Sequence, residues 1–176
     1  PAQPIVIHQL DGGGNANLDP AIAVVGDRGI VVWEGNHHWP RQIHAACITP
    51  DEVSDAQQIS FAKYPASNPD VVFVGPEEAI VAWDHYDGSS VNLAGCRIEN
   101  GTWQKPFSIT GDPRIARHVD LAAYDGDVWL AWQAQSFDKH LVNRLTEQQI
   151  VLARLQGESL EMLPDWFTRI NKTGAL

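Results

Sequence analysis

Two sets of side chains in this sequence have the types and spacing for chemistry. The first is His37, His38, Asp84, His85 and His140, imidazoles and carboxylates of the kind that hold zinc or a related divalent ion. With imidazoles titrating near neutrality, the same set could move protons. None of these residues has the helix-held ligand spacing of a His-Glu-x-x-His motif, and consecutive His37 and His38 point apart in extended backbone, so solvated loop histidines are the competing reading. A divalent ion is the one cofactor the residues leave room for, and none is otherwise expected. The second set is Glu34, Asp84 and Gln133, each directly after a tryptophan. Carboxylates at Glu34 and Asp84 on neighbouring structural units could supply a glycosidase pair, one protonating the leaving group while the other attacks or activates water. The competing reading is that they accept hydrogen bonds from loop amides at a strand end.

What would position these residues is a repeat. Asp19-Pro-Ala-Ile-Ala-Val-Val-Gly leads to Ile-Val-Val-Trp33, Asn68-Pro-Asp-Val-Val-Phe-Val-Gly to Ile-Val-Ala-Trp83, and His118-Val-Asp-Leu-Ala-Ala-Tyr to Trp-Leu-Ala-Trp132. The tryptophans are 50 and then 49 residues apart. A fixed period near fifty, built from short apolar runs and turns, is the mark of a propeller or similar array. Each unit reads as a first strand, a tight turn, a second strand ending at the tryptophan, a longer loop, a third strand (42–48, 91–98, 149–155) and a fourth (57–62, 105–109). Glu99-Asn-Gly-Thr is a hairpin signal, and Pro4 to Gln9 reads as one extra strand. The second strands are apolar on successive residues, as expected of a sheet covered on both faces. The expected fold is therefore all-β, with about three blades of four antiparallel strands over roughly 4–56, 57–104 and 105–160. Residues 161–176 read as a seam strand or linker. Asp19-Pro20 and Asn68-Pro69 are expected to open the innermost strands, where proline costs no ladder donor.

In such a meander the loop after the second strand and the connection to the next blade emerge at one end. His37, His38, Trp39, Asp84, His85, Tyr86, His118 and His140 all map there, while the other end has short Gly, Asp and Asn turns. Ligand binding is expected at this end, since long loops on a rigid scaffold carry most binding sites. Trp39, beside the histidines and before Pro40, is the best placed of the tryptophans to stack on a sugar, with packing over the blade edge as the competing reading.

A net charge of −10 argues against nucleic acid, which demands a basic footprint, and no apolar run reaches the length of a membrane span. Cys47 and Cys96 sit at matching points of two repeats, beyond disulfide reach if those repeats are adjacent blades, and read as buried small hydrophobes. The chain opens on Pro1 without a methionine, and a secreted or periplasmic location is the expectation. Three blades do not close a ring, since propellers use about four to eight. The chain is part of a longer propeller, or two copies form a six-bladed homodimer, or the array stays open or sandwich-like.

The order of proline, apolar run, Gly turn, apolar run ending in Trp, then strand and Asn-Gly-Thr-Trp hairpin resembles the blades of sialidase-like (BNR-like) six-bladed β-propellers. The resemblance runs over roughly Pro4 to Glu161. The Asp-box of that family, Ser-x-Asp-x-Gly-x-Thr-Trp, has its nearest counterpart in Cys96-Arg-Ile-Glu-Asn-Gly-Thr-Trp103. That segment lacks the serine and displaces the acid and the glycine, so the resemblance implies the fold and transfers no active site. The function expected from the residues is a non-catalytic module binding a glycan, peptide or partner protein at its His/Trp/Asp-rich end. The alternative is a hydrolase, either a sialidase-like glycosidase or the propeller portion of a larger metal-dependent enzyme.

Overall fold

The structure, a computed structural model, describes residues 10, 16–35, 39–111, 115–137 and 145–162. Among them there is no helix. Three antiparallel meanders follow one another along the chain, giving the propeller-type all-β architecture expected from the period. The first blade contains β1 (Asn17–Val25), β2 (Arg28–Gly35), β3 (Gln42–Ile48) and β4 (Gln57–Gln58). The second contains β5 (Ala66–Gly75), β6 (Glu78–Tyr86), β7 (Val91–Glu99), β8 (Thr102–Trp103) and β9 (Phe107–Ser108). The third contains β10 (Ile115–Tyr124), β11 (Asp127–Phe137), β12 (Leu145–Gln156) and β13 (Ser159–Met162).

The fourth strand differs most from the sequence reading. In the first blade it shrinks to two residues, and in the second it is split, with β8 and β9 both pairing β7. Pro106 stands between the two pieces, and a residue without an N–H cannot continue a ladder. The hairpin of the second blade turns at Asn100 and Gly101, both at positive φ, the conformation a two-residue turn demands. The Pro4 to Gln9 segment lies outside the described residues.

The unbroken apolar runs of the second strands have a direct cause in packing. Alternate residues of a strand face opposite ways, and β6 is covered on both sides. Ala79, Val81 and Trp83 join Ile30, Val32, Ile43 and Ala45 in a core between the first and second blades. Ile80 and Ala82 join Leu130, Trp132, Val151 and Ala153 in a second core between the second and third. Trp83 and Leu93 are fully buried, and each such side chain withdrawn from water contributes roughly 1.5–3 kcal/mol. Both cysteines are free thiols: Cys96 is buried in the first core as expected, whereas Cys47 is only half-buried and packs against it. The first strands contact one another from blade to blade, β1 with β5 and β5 with β10, so they form the inner edge of the array.

Candidate active site

Each first strand breaks its ladder at the same place. The register slips between Leu18 and Ala21, between Ser67 and Asp70, and between Arg117 and Asp120. The extra residue at each bulge is left-handed: Asp19 at φ 47°, Asn68 at 50° and His118 at 54°. Asp, Asn and His are the non-glycine types that tolerate this region best. Asp19-Pro20 and Asn68-Pro69 thus lie inside β1 and β5, where the sequence reading had them opening the strands. A bulge leaves its residue outside the regular pairing, so a proline there costs no ladder bond.

Opposite the residue before each bulge stands the residue after the repeat tryptophan: Leu18 faces Glu34, Ser67 faces Asp84 and Arg117 faces Gln133. Asp84 is only 3% exposed. Its Oδ2 accepts a hydrogen bond from Asn68 Nδ2 at 2.7 Å, and its Oδ1 accepts one from the His118 main-chain N–H at 2.8 Å. Burial pushes its carboxyl up to about 6, although both hydrogen bonds and the nearby His118 and Arg117 act the other way. Asp70 makes a second crossing of the same kind, its Oδ2 accepting from the Leu121 N–H at 2.6 Å. Burial raises the Asp70 carboxyl too, against the bonds from Leu121 and Val71. Two carboxylates of the second blade thereby hold the third blade's bulge from either side.

The result is an open cavity of about 300 Å³ lined by Ser67, Asn68, Asp84, Tyr86, Arg117 and His118, with Pro65 and Val91 at its margin. Of the residues singled out from sequence, Asp84, Tyr86 and His118 meet here. Glu34 does not: it is 1% exposed and forms an ion pair with Arg41. His85 follows Asp84 on β6 and faces the other way, packing on Phe61 with ring centroids 5.1 Å apart. It is 8% exposed, its Nδ1 has no hydrogen-bond partner, and burial lowers its pKa. Asp84 and His85 therefore do not converge on one ligand, and among the described residues no group of three or more His, Cys, Asp or Glu is placed to hold a metal ion. Trp39 stands in solvent, 76% exposed. His37, His38 and His140 lie outside the described residues.

Sequence reasoning missed Ser67, Asn68, Asp70 and Arg117. The available signal was positional: Asp19, Asn68 and His118 each fall fifteen or fourteen residues before their tryptophan, and three polar residues at one repeat position was a pattern worth pursuing.

No family model and no curated protein matches the chain. Solved structures do. The chain is similar to Zg3597, a family 117 glycoside hydrolase of the marine bacterium Zobellia galactanivorans, with a TM-score of 0.58 and 11% identity over 89% of this chain and 58% of that one. It is similar to a protein of Parabacteroides distasonis assigned as a glycoside hydrolase, with a TM-score of 0.51 and 12% identity over 86% of this chain and 51% of that one. An α-L-arabinofuranosidase of Lactobacillus brevis follows at 0.48 and 11% identity, over 83% of this chain and 53% of that one. The chain thus spans between half and three fifths of the length of these structures, and at such identities the likeness is one of fold. The first two of these structures carry glycoside hydrolase names, the finding that overturns the expectation of a non-catalytic binding module.

Proposed function

We propose that this chain forms part of a glycoside hydrolase whose site lies at the end where the first strands bulge. The observation that carries the reading is the trio Asp19, Asn68 and His118, left-handed at one position of three successive blades. Among the described residues the other non-glycine positions at positive φ, Asn100 and Asp125, sit in hairpin turns, where the turn itself requires that backbone. Inside a strand the same conformation costs about 1–2 kcal/mol per residue, and residues held this way gather at ligand sites. Carboxylate, amide and imidazole are also groups that bond sugar hydroxyls, as donors or acceptors.

Glycoside hydrolysis needs one carboxyl that delivers a proton and one that attacks or activates water. Asp84, with its carboxyl near 6 on the cavity wall, suits the first role, because an acid poised close to working pH both holds and releases its proton. Asp19, exposed at the equivalent bulge of the first blade, suits the second. Glu34 does not, since it is absent from the cavity lining and is paired with Arg41. The substrate is a glycan, and we read the three blades as part of a closed ring, six-bladed on the sialidase-like pattern. The greater length of the similar structures supports further chain as the source of the remaining blades ahead of a second copy.

The test is release of leaving groups from aryl arabinosides, galactosides and sialosides by the full-length protein and its Asp84→Asn and Asp19→Asn variants. At least one substrate is expected to be cleaved, with each variant slower by a hundredfold or more, the scale of losing acid–base catalysis. No cleavage across the panel, or variants as fast as the parent, overturns the reading.

A further inference from the structure

The loop joining β2 to β3 ends in an arrangement that the hydrolytic reading leaves unused. Trp39 projects into solvent with 76% of its surface exposed, yet the chain that follows it is fastened at each residue. Arg41 pairs with the buried Glu34. Gln42 Nε2 donates to the Pro40 carbonyl at 3.3 Å and to the Tyr64 carbonyl at 3.1 Å, and the Ala66 N–H donates to the Arg41 carbonyl at 3.0 Å. An indole left in water forgoes the gain of burial, and nothing within the described chain covers it.

The same bonds lead to the cavity. Tyr64, whose carbonyl holds Gln42, meets Tyr86 edge to face with ring centroids 6.0 Å apart. Tyr86 lines the Asp84 cavity, is 39% exposed, and has its hydroxyl fixed by donation to the Gly88 carbonyl at 2.9 Å. Gly88 allows this approach, since it sits at φ 101° and a Cβ there would lie 2.8 Å from the Tyr64 hydroxyl. Tyr86 and Tyr64 thus meet beside the cavity, with Lys63 Nζ 4.8 Å over one face of the Tyr64 ring, and Gln42 ties the main chain next to Trp39 to that of Tyr64.

We infer that Trp39 and Tyr86, with Tyr64 bracing the supports of both, form the stacking surfaces for an oligosaccharide, so that the substrate is a chain of several sugar units with one end in the Asp84 cavity and the rest lying towards Trp39. The apolar faces of sugar rings are the surfaces that rigid, half-wet aromatics accept, and neither end of such a side chain needs burying for it to contribute. The inference rests on the hydrolase reading for the location of the cleaved end, but the stacking surfaces bind whether or not cleavage occurs.

The experiment measures binding, by tryptophan fluorescence and calorimetry, of arabino-, galacto-, xylo- and cello-oligosaccharides of one to six units. The parent chain, Trp39→Ala and Trp39→Phe are compared, with aryl-glycoside cleavage assayed in parallel. For at least one series, affinity is expected to rise with length. Trp39→Ala should weaken the hexamer about five- to tenfold while leaving the monosaccharide unchanged, and Trp39→Phe should keep most of the affinity. Hexamer affinity equal in all three proteins, or no binding by any series, overturns the stacking role even if aryl glycosides are cleaved. Length-dependent binding lost in Trp39→Ala without any cleavage upholds the stacking role and sinks the hydrolase reading alone.

Discussion

Asp84 Oδ1 accepts the main-chain N–H of His118 at 2.8 Å, from one blade to the next. The bulge explains why that donor is available: His118 sits outside the regular β10–β11 register, and a buried N–H without a partner costs about 1–3 kcal/mol. The carboxylate of the preceding blade answers that need while its other oxygen takes Asn68. Asp84 is therefore the staple between two blades as well as the carboxyl on the cavity wall that we propose as the acid. A substitution at Asp84 must therefore be read for stability as well as for turnover.

The first prediction uses that coupling. Asp84 is raised from 3.8 to about 6 by burial, so the folded state binds its proton more tightly than the unfolded chain does. Its stabilising effect is then fully present below about pH 4 and is lost as pH rises through 6. A displacement of this size is worth about 3 kcal/mol. Urea unfolding of the parent and of Asp84→Asn between pH 4.5 and 7.5 should show the parent losing stability relative to the variant as pH rises. Parallel curves would mean that Asp84 titrates as it does in the unfolded chain.

A second prediction compares equivalent tryptophans. Trp33 Nε1 donates to Asn17 Oδ1 at 3.1 Å, whereas the fully buried Trp83 Nε1 has no partner. The register explains the difference, because Asn17 lies opposite Gly35 and its counterpart opposite His85 is Ala66, which offers no acceptor. Asn17→Ala should put Trp33 in the condition of Trp83 and cost about 1–3 kcal/mol in chemical denaturation. A neutral result would show that solvent already satisfies that indole.

Gly35 carries a third. A Cβ built there falls 2.6 Å from the His44 ring, which also stacks on Trp33 with centroids 6.0 Å apart. The imidazole occupies the space that the glycine leaves. Gly35→Ala should drive it off the tryptophan and cost about 1–3 kcal/mol, the usual range for overpacking, read as a lower thermal midpoint. Gly35→Ala combined with His44→Ala should recover part of that loss.

Much of this fold was legible because its cause is periodic. Tryptophans spaced 50 and 49 residues apart mark one packing position repeated, and two-sided burial of β6 follows from consecutive apolar residues. The bulges were not legible. Asp-Pro and Asn-Pro suggest a strand start as readily as a bulge, and the third copy, His118-Val119, carries no proline. Their identity lies in the register against the second strand, a long-range property. The site was half legible for a related reason. Asp84 and His85 look like partners in sequence, but neighbours on a strand face opposite ways, and His85 belongs to the packing around Phe61.

The last prediction separates strain from fold at His118. Its side chain is exposed and its backbone left-handed, while the group that Asp84 holds is its amide. Glycine keeps that amide and adopts positive φ without steric cost. His118→Gly should therefore leave the Asp84 bond intact and unfold no more readily than the parent, within about 1 kcal/mol, because relief of the left-handed strain offsets the greater entropy of the unfolded chain. If the imidazole serves a ligand, the same variant should lose glycan binding and turnover while its denaturation curve stays in place. Loss of stability with function unchanged would instead make His118 a packing residue, and would remove it from the site.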